Sequence, residues 1–304
     1  MEISEYPPSI RTLNYASPEE RAETLALGYV THNPKKHFKR LKPMAEYLAG
    51  QLDGIRHGRV LMAKTNEEMV WLVQNGHVDL VFESVGSAMQ LVKQADMQLM
   101  LLQWKKGSKD YHSLIITHQS SGMKSLADLK GKRITLGEVD STTSYQMPVA
   151  ILERAGHSLI RLNHPKDPVP PGKTGYLIVS GDEKTIAASV ARQLTDAGAY
   201  SNQDWESAKD TPETYKKELS ILYQSRAIPR RLVLARNTLP EPIKTALRSV
   251  LLDMKNRPDA EPVLKRFYKT RQFDELPREA LEQIVQIQQL LESSSHLKSF
   301  SQNQ

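Results

Sequence analysis

The sequence predicts an α/β chain made of two compact lobes, and three observations carry that expectation. Short apolar runs alternate with stretches whose apolar residues recur at helical spacing, the order that builds sheets with crossover helices. The 304 residues exceed the usual span of a single core, which gives two lobes of about 100 to 150 residues each. Hydrophobic content of 39% beside 25% charged residues fits a globular chain, and no apolar run approaches the ~20 residues of a membrane-spanning helix.

Residues 1–23 read as a polar arm with Pro7-Pro8 and a start signal, Ser17-Pro18-Glu19-Glu20, for a single helical turn. Leu25 to Val30 is a buried strand ending in the polar turn Thr31-His32-Asn33-Pro34. Leu41, Met44, Ala45, Leu48 and Leu52 then give an amphipathic helix beginning near Pro43. Arg59 to Ala63 is a second strand, Glu67 to Asn75 a helix closed by Gly76, and Val78 to Phe82 a third strand. That strand runs into Glu83-Ser84-Val85-Gly86-Ser87 and a helix over Ala88 to Ala95. Parallel sheets place ligands at the carboxyl ends of their strands, so the loops at Thr31 to Asn33 and Glu83 to Ser87 are expected to face one crevice.

Leu99 to Trp104 is a further strand, and Lys105-Lys106-Gly107-Ser108 turns the chain toward Tyr111 to Thr117. Ser125 to Lys132 is a short capped helix. The segment from His164 to Lys173 reads as a rigid irregular loop because of Pro165, Pro168, Pro170 and Pro171. Gly175 to Val179 is a strand, Lys184 to Arg192 a helix and Asp196 to Ala199 a strand edge, followed by strands at Leu219 to Tyr223 and Arg231 to Ala235. The last part is helical: Ile243, Ala246, Leu247, Val250, Leu251 and Met254 share one face, as do Leu281, Ile284, Val285 and Leu291. A frayed polar tail is expected from Ser293.

A formal charge of +6 and a pI near 9.2 favour anionic partners. Nucleic acid is not expected among them. The cations are scattered, in Lys35-Lys36, Lys105-Lys106, Lys216-Lys217 and Arg230-Arg231, and aromatics total only 6%. The absence of cysteine excludes disulfides, thiolate metal sites, cysteine nucleophiles and a lipid-modified cysteine within this chain. There is no Gly-x-x-x-x-Gly-Lys-Ser/Thr loop, no His-Glu-x-x-His, no Gly-x-Ser-x-Gly and no cluster of metal ligands, so no enzyme activity, cofactor or metal is expected. Met1 to Tyr6 lacks the basic region and apolar core of a secretory signal. Either the chain is cytoplasmic or a signal has been removed and a start methionine supplied.

The stretch from Lys132 to Tyr145 carries the functional signal. Ile134 to Leu136 is a short strand, and Gly137-Glu138-Val139-Asp140 delivers the chain into Ser141-Thr142-Thr143 ahead of a helix. A helix start leaves backbone N–H groups without intrahelical partners and carries the positive end of the dipole. With hydroxyl donors added it is an anion site in outline. The plainer reading is that Ser141 or Thr143 simply caps the helix. Pro148 would cost a hydrogen bond if the helix began at Thr142, whereas a start at Thr143 or Ser144 puts it near the first turn.

Trp104-Lys105-Lys106-Gly107, Tyr111-His112-Ser113, Ser125 to Lys132 and Asp140-Ser141-Thr142-Thr143, in this order and spacing, resemble the phosphate, phosphite and phosphonate-binding group of periplasmic solute-binding proteins. Gly76 to Leu80, Ser180-Gly181-Asp182-Glu183, Asp196 to Ala199 and Phe273 to Pro277 extend the resemblance over residues 24–292. It implies a type 2 periplasmic binding protein fold, in which two α/β lobes, each a mixed sheet flanked by helices, are joined by two hinge crossings. The first lobe would be residues 24–107 plus 227–304 and the second residues 108–226. It further implies a non-catalytic protein, periplasmic or extracytoplasmic, that captures a small phosphorus oxyanion between the lobes for the membrane permease of an ABC transporter.

The resemblance puts the oxyanion on Ser141, Thr142 and Thr143, with Tyr111 from the crossing and Ser113 as a further donor. The family's glycine after the triplet is Ser144 here, which would narrow the approach of a substituent on phosphorus. On the first lobe Ser84 matches by position, with Thr31 and His32 close by, while Glu83 would repel an anion unless it is protonated or turned away. For the ammonium of an aminoalkyl phosphonate the resemblance offers Asp182, Glu183 and Asp196, the last more readily read as a structural residue that makes local turn hydrogen bonds. Asn202, Tyr200 and His112 have weaker claims, and no partner is foreseen that fixes a tautomer of either His32 or His112. The same fold also serves as the extracytoplasmic sensor of membrane signalling proteins. That alternative is kept open by the missing signal and anchor cysteine, the polar arm and the apolar stripe from Leu281 to Leu291.

Overall fold

A computed structural model describes residues 6–180 and 183–302. The chain divides into two compact units, Met1–Asp110 with Pro229–Leu281 and Tyr111–Ile228 with Glu282–Gln304. The first unit begins with α1 (Pro18–Arg21), β1 (Thr24–Val30), α2 (Pro34–Ala49), β2 (His57–Ala63), α3 (Asn66–Gln74), β3 (Leu80–Glu83), α4 (Val85–Gln94) and β4 (Met97–Gln103). After β5 (Asp110–Tyr111) the second unit follows with β6 (Ser113–His118), β7 (Arg133–Leu136), α5 (Met147–Arg154), β8 (Ser158–Arg161), β9 (Lys173–Ile178) and α6 (Glu183–Ala191). It continues through β10 (Ala197–Ser201), α7 (Asn202–Trp205), α8 (Glu213–Lys216) and β11 (Leu219–Gln224) to β12 (Ile228–Pro229), which pairs with β5 in a two-stranded sheet. The chain then runs through β13 (Leu232–Arg236), α9 (Glu241–Asp253), α10 (Glu261–Arg266) and β14 (Phe273–Asp274) to α11 (Arg278–Ser293) and α12 (Ser295–Gln302).

The sheet of the first unit has the order β14-β4-β13-β3-β1-β2. β1 is parallel to β2 and β3, and β13 runs antiparallel between β3 and β4. The carboxyl ends of β1, β2, β3 and β4 therefore share one edge of the sheet, where β13 begins. Leu25, Leu27 and Tyr29 alternate onto the face that packs Leu41, Met44, Ala45 and Leu48 of α2. Each buried leucine there contributes about 1.5 to 3 kcal/mol. At the amino end of β3, the Asp79 carboxylate accepts from Arg21 (2.6 Å), Arg236 (2.8 Å) and the Ala26 N–H (2.9 Å). Arg21 also donates to the Gly76 carbonyl (2.7 Å), so the stretch Gly76 to Leu80 is a structural clamp between strand and arm.

The second sheet has the order β11-β6-β10-β7-β9-β8, with β10, β7, β9 and β8 parallel and β6 antiparallel to β10. Strand alternation splits β6 between two cores. Ile115 joins Ile134, Leu136, Tyr145 and Val149 on one face, and Leu114 and Ile116 join Ile186, Val190 and Tyr200 on the other.

Several elements differ from the sequence reading for identifiable reasons. Helix α2 starts at Pro34, not Pro43, because Asn33 caps it by accepting the Lys36 N–H (3.3 Å), and the buried stripe from Leu41 to Leu48 carries the helix through Pro43. The arm is packed, with Ile10 buried and the Tyr6 ring against Tyr15 and Trp71. Its turn α1 has the Ser17–Glu20 capping box that the sequence signals. β10 lies inside the sheet and all five of its residues are buried, so Ala197 to Ala199 is no edge. Residues from Glu282 onward belong to the second unit, and α12 replaces the expected frayed tail. Its start is tied down by a His296 Nε2 contact with the Tyr176 hydroxyl (2.8 Å) and by the His296 N–H donating to Glu153 (3.1 Å).

Candidate functional site

β7 ends at Leu136, and the chain turns through Gly137 to Asp140 into a helix that starts as one π turn, Thr142–Gln146, before α5. Ser141 is its N-cap: Oγ accepts the Ser144 N–H (3.2 Å), and its carbonyl accepts from both Tyr145 (3.1 Å) and Gln146 (3.0 Å). The Met147 N–H reaches back five residues to the Thr142 carbonyl. Residue 148 would next bond the Thr143 carbonyl in π register or the Ser144 carbonyl in α register, but proline has no N–H. Both carbonyls receive donors from outside the helix instead. The buried Ser113 hydroxyl donates to the Thr143 carbonyl (2.7 Å), and the Gly137 N–H donates to that of Ser144 (3.0 Å). Pro148 thereby ties the helix start to β6 and to the turn after β7. Neither start that the sequence suggested, at Thr143 or at Ser144, is the one adopted, because the π turn absorbs the missing donor.

Glycine is required at residue 137, since a Cβ there would lie 2.7 Å from the Ser144 Cβ. The extra atoms of Ser144 are thus received by Gly137. The side chains of Thr142 and Thr143 sit at the positive end of the helix dipole in a buried setting. Among the described residues no acceptor engages the Thr143 N–H. Such a start holds an oxyanion with neutral donors and no buried counter-charge. The capping reading is right for Ser141, whose hydroxyl proton nonetheless stays free to donate while its lone pair accepts from Ser144.

The carboxyl edge of the second sheet also gathers Tyr111, which is buried, Ser113 at the start of β6, and Glu183 at the first position of α6 after β9. Ser113 acts on the site through the Thr143 carbonyl. Asp182 lies outside the described residues. Asp196 is not brought to this edge. It precedes β10, whose Ala197 pairs with Ile134, so it sits at the opposite end of β7 from Ser141. There its carboxylate accepts the Arg133 N–H (2.9 Å) and faces Lys132 at 3.9 Å, a structural role that links β10 to the start of β7 and not a local turn. Asn202 Oδ1 accepts the His112 N–H (2.8 Å), and His112 Nδ1 donates to the Ser225 carbonyl (2.8 Å), which fixes the tautomer that the sequence left open. Tyr200 is fully buried, its hydroxyl accepts from Thr211 (3.1 Å), and burial pushes its pKa up, so it belongs to the core.

In the first unit Thr31, His32 and Ser84 all follow strand carboxyl ends. Thr31 donates its N–H to Ala63 (2.8 Å) and accepts the Asn33 N–H on Oγ1 (3.0 Å), His32 is exposed, and Ser84 is the N-cap of α4. Glu83 turns back on its own edge: it accepts the N–H groups of Val30 (3.4 Å) and Ser84 (3.3 Å) and lies 3.8 Å from Arg231. Burial raises its pKa, and Arg231 opposes that shift.

Beside it stands a cluster that sequence reasoning missed. Buried Arg231 stacks on the rings of Tyr29 (4.9 Å) and Tyr268 (5.2 Å) and donates through Nε to the Phe82 carbonyl (3.0 Å). Lys105 Nζ lies 4.9 Å and Arg40 Cζ 5.1 Å from the centre of the Tyr268 ring. His37 stacks on Tyr29 (4.8 Å), with Nδ1 2.5 Å from the Tyr268 hydroxyl. Burial, then Lys36, Arg231 and Arg40, lower the His37 pKa to about 3, and burial followed by Arg231 pushes Lys105 well below the usual lysine range. Cations that are scattered in sequence converge here because β4 and β13 are neighbours in the sheet.

Residues 27–280 match the profile of the family described as ABC transporter, phosphonate, periplasmic substrate-binding protein. The phosphonates-binding periplasmic protein of Escherichia coli K12 is 23% identical over 260 residues, covering 84% of this chain and 73% of that one. XAC2383 from Xanthomonas citri, solved bound to ATP, superposes with a TM-score of 0.85 at 30% identity, over 90% of this chain and 98% of its own. PhnD1 from Prochlorococcus marinus, solved with methylphosphonate, shares the fold at a TM-score of 0.66 and 20% identity, over 89% and 99% of the two chains. The architecture is therefore that of the type 2 periplasmic binding proteins. A family profile that spans most of the sequence, together with the order of motifs around the α5 start, shows that the chain belongs to the periplasmic phosphonate-binding proteins of ABC transporters.

Proposed function

We propose that this chain is a non-catalytic periplasmic component that captures a small phosphorus oxyanion at the start of α5 and hands it to a membrane permease. The observation that carries this reading is the helix start itself. Pro148, Ser113 and Gly137 hold Thr142 and Thr143 at the positive end of a helix dipole, with an amide left to donate. Phosphonate, phosphate and phosphite all present the oxygens such donors suit. Tyr111 and Ser141 complete the donor set on the second unit, and Glu183 is the group for the ammonium of an aminoalkyl phosphonate.

Isothermal titration with phosphate, phosphite, methylphosphonate and an aminoalkyl phosphonate tests the reading. At least one binds, and Thr142→Ala weakens it by about 1 to 3 kcal/mol, about 5- to 150-fold. Binding by none of the four, or an unchanged affinity in Thr142→Ala, refutes it. A second reading is favoured by XAC2383, a relative bound to ATP: the phosphorus group held at α5 is part of a nucleotide, and ATP in the same titration decides between them.

A further inference from the structure

We propose that the C-terminal helix α12 is a strap that orders the oxyanion-binding turn Thr142–Gln146, with Glu153 and His296 as its positioning residues. The proposal rests on the reading that an oxyanion binds at the start of α5, and every residue it uses lies in the second unit.

One carboxylate holds the strap. Glu153, in the last turn of α5, accepts from the hydroxyls of Ser294 and Ser295 (2.6 Å for Ser295) and from the His296 N–H (3.1 Å). Ser294 is only 2% exposed, and its Oγ accepts the Leu297 N–H (3.1 Å). The positive end of the α12 dipole favours a carboxylate in that place. Helix α12 has eight residues and no acidic side chain of its own. A helix that short is marginal in water, so its packing on α5 and the three bonds to Glu153 hold it.

From the strap a path of side chains leads to the binding turn. His296 Nε2 lies 2.8 Å from the Tyr176 hydroxyl, with the two rings edge to face at 5.1 Å and 87°. Tyr176, on β9, meets Tyr145 with ring centres 6.2 Å apart at 69°. Tyr145 belongs to the turn itself: it follows Ser144, and its N–H donates to the Ser141 carbonyl (3.1 Å). Leu297 of α12 packs on the core cluster that contains Tyr145, Tyr176 and Val149. Both tyrosines are 1% exposed, so neither ring moves unless its neighbours give way. Burial raises the pKa of both hydroxyls and lowers that of His296, which leaves all three groups neutral at neutral pH and able to share hydrogen bonds. A π turn is rare and depends on its surroundings. Ser113 and Gly137 hold the carbonyls of this one, and Tyr145, backed by Tyr176 and the strap, holds its buried side.

Amide hydrogen exchange on the free protein, with titration by methylphosphonate and phosphate, tests the proposal. In Glu153→Gln the Leu297 and Lys298 amides are expected to exchange about 10- to 150-fold faster, the worth of a hydrogen bond to a charged group. The amides of Tyr145, Gln146 and Met147 should gain about 3- to 30-fold, the range for coupling through packed side chains. That gain is measured in excess of any change at Ile115 and Ala199 in the sheet, which report global stability. Affinity for the oxyanion, measured well below the melting transition, should fall over the same range of about 3- to 30-fold. His296→Leu leaves α5 untouched and should loosen the turn in the same way, which keeps the test open should Glu153→Gln fold poorly. His296→Gln, able to bond the Tyr176 hydroxyl, should restore it. Faster exchange in α12 with the turn no faster than the sheet overturns the proposal. So does unchanged exchange in α12, or unchanged affinity in a variant whose turn has loosened. An unchanged affinity in Thr142→Ala instead defeats the reading at α5, and the exchange series, which needs no ligand, still reports on the strap.

Discussion

Replacing Asp79 by alanine removes one carboxylate and leaves three donors behind. Its side chain is 1% exposed, while those of Arg21 and Arg236 are 25% and 19% exposed. The arginines regain some water, but the Ala26 N–H, in a buried parallel ladder, does not. Breaking a buried ion pair from one side costs about 3 to 5 kcal/mol. The partial exposure of both arginines sets the lower part of that range and the orphaned amide restores the upper. For a unit of this size each kcal/mol moves the melting point by about 2 to 4 °C, so Asp79→Ala is expected to lower the first unit's transition by about 6 to 20 °C. Asp79→Asn keeps one carbonyl acceptor and loses less. Differential scanning calorimetry on both variants measures this directly. Because Asp79 lies at the amino end of β3, ligand affinity measured well below the transition should be unchanged. A shift under about 2 °C for Asp79→Ala would refute the clamp, and a large loss of affinity at unchanged stability would mean that the residue acts at the site.

Gly137→Ala forces a Cβ to within 2.7 Å of the Ser144 Cβ, so the turn or the helix start must shift. A stability loss of about 1 to 3 kcal/mol with weakened oxyanion binding is expected from denaturant melts and titration. Ser113→Ala leaves the buried Thr143 carbonyl without its donor, which should cost about 1 to 3 kcal/mol of stability, and Ser113→Thr, which keeps the hydroxyl, should lose less. His37 is held neutral, with its pKa near 3, below the unfolded value. The stability it contributes is complete above pH 6.5 and is lost as pH falls through that window toward 3. The acid-induced fall in melting temperature should be smaller in His37→Gln than in wild type, and an identical pH profile would refute the assignment. His77, His157 and His296 are also lowered by burial and add the same trend to both proteins.

The parts of the fold legible in the sequence are those set by local chemistry. Continuous apolar runs mark β1, β3, β6 and β13 because each strand is buried on both faces or divided between two cores, and the Ser17–Glu20 box announces α1. Helix α2 was misjudged at its start because two prolines, Pro34 and Pro43, each fit a first turn, and only packing of the stripe behind them decides. Strand β8 has no buried residue and so left no apolar signature. At the site, the hydroxyl run was legible because its residues are contiguous. The bond from Ser113 was not, since it joins residues brought together by β6 and the sheet, and the convergence of Lys105 with Arg231 depends on β4 lying beside β13.

Ser144 shows how a departure from a family pattern is absorbed. Read alone, a serine in place of the glycine that the resemblance implies suggests a tighter approach to a bound substituent. In the fold its side chain lies against Gly137, whose missing Cβ makes the room, and the Gly137 amide bonds the Ser144 carbonyl. The room left by the missing Cβ of Gly137 is thus filled by the Ser144 side chain, and the cap at Ser141 keeps its place. The first unit's edge carries three cations over a strained tyrosine where the sequence led one to expect hydroxyls.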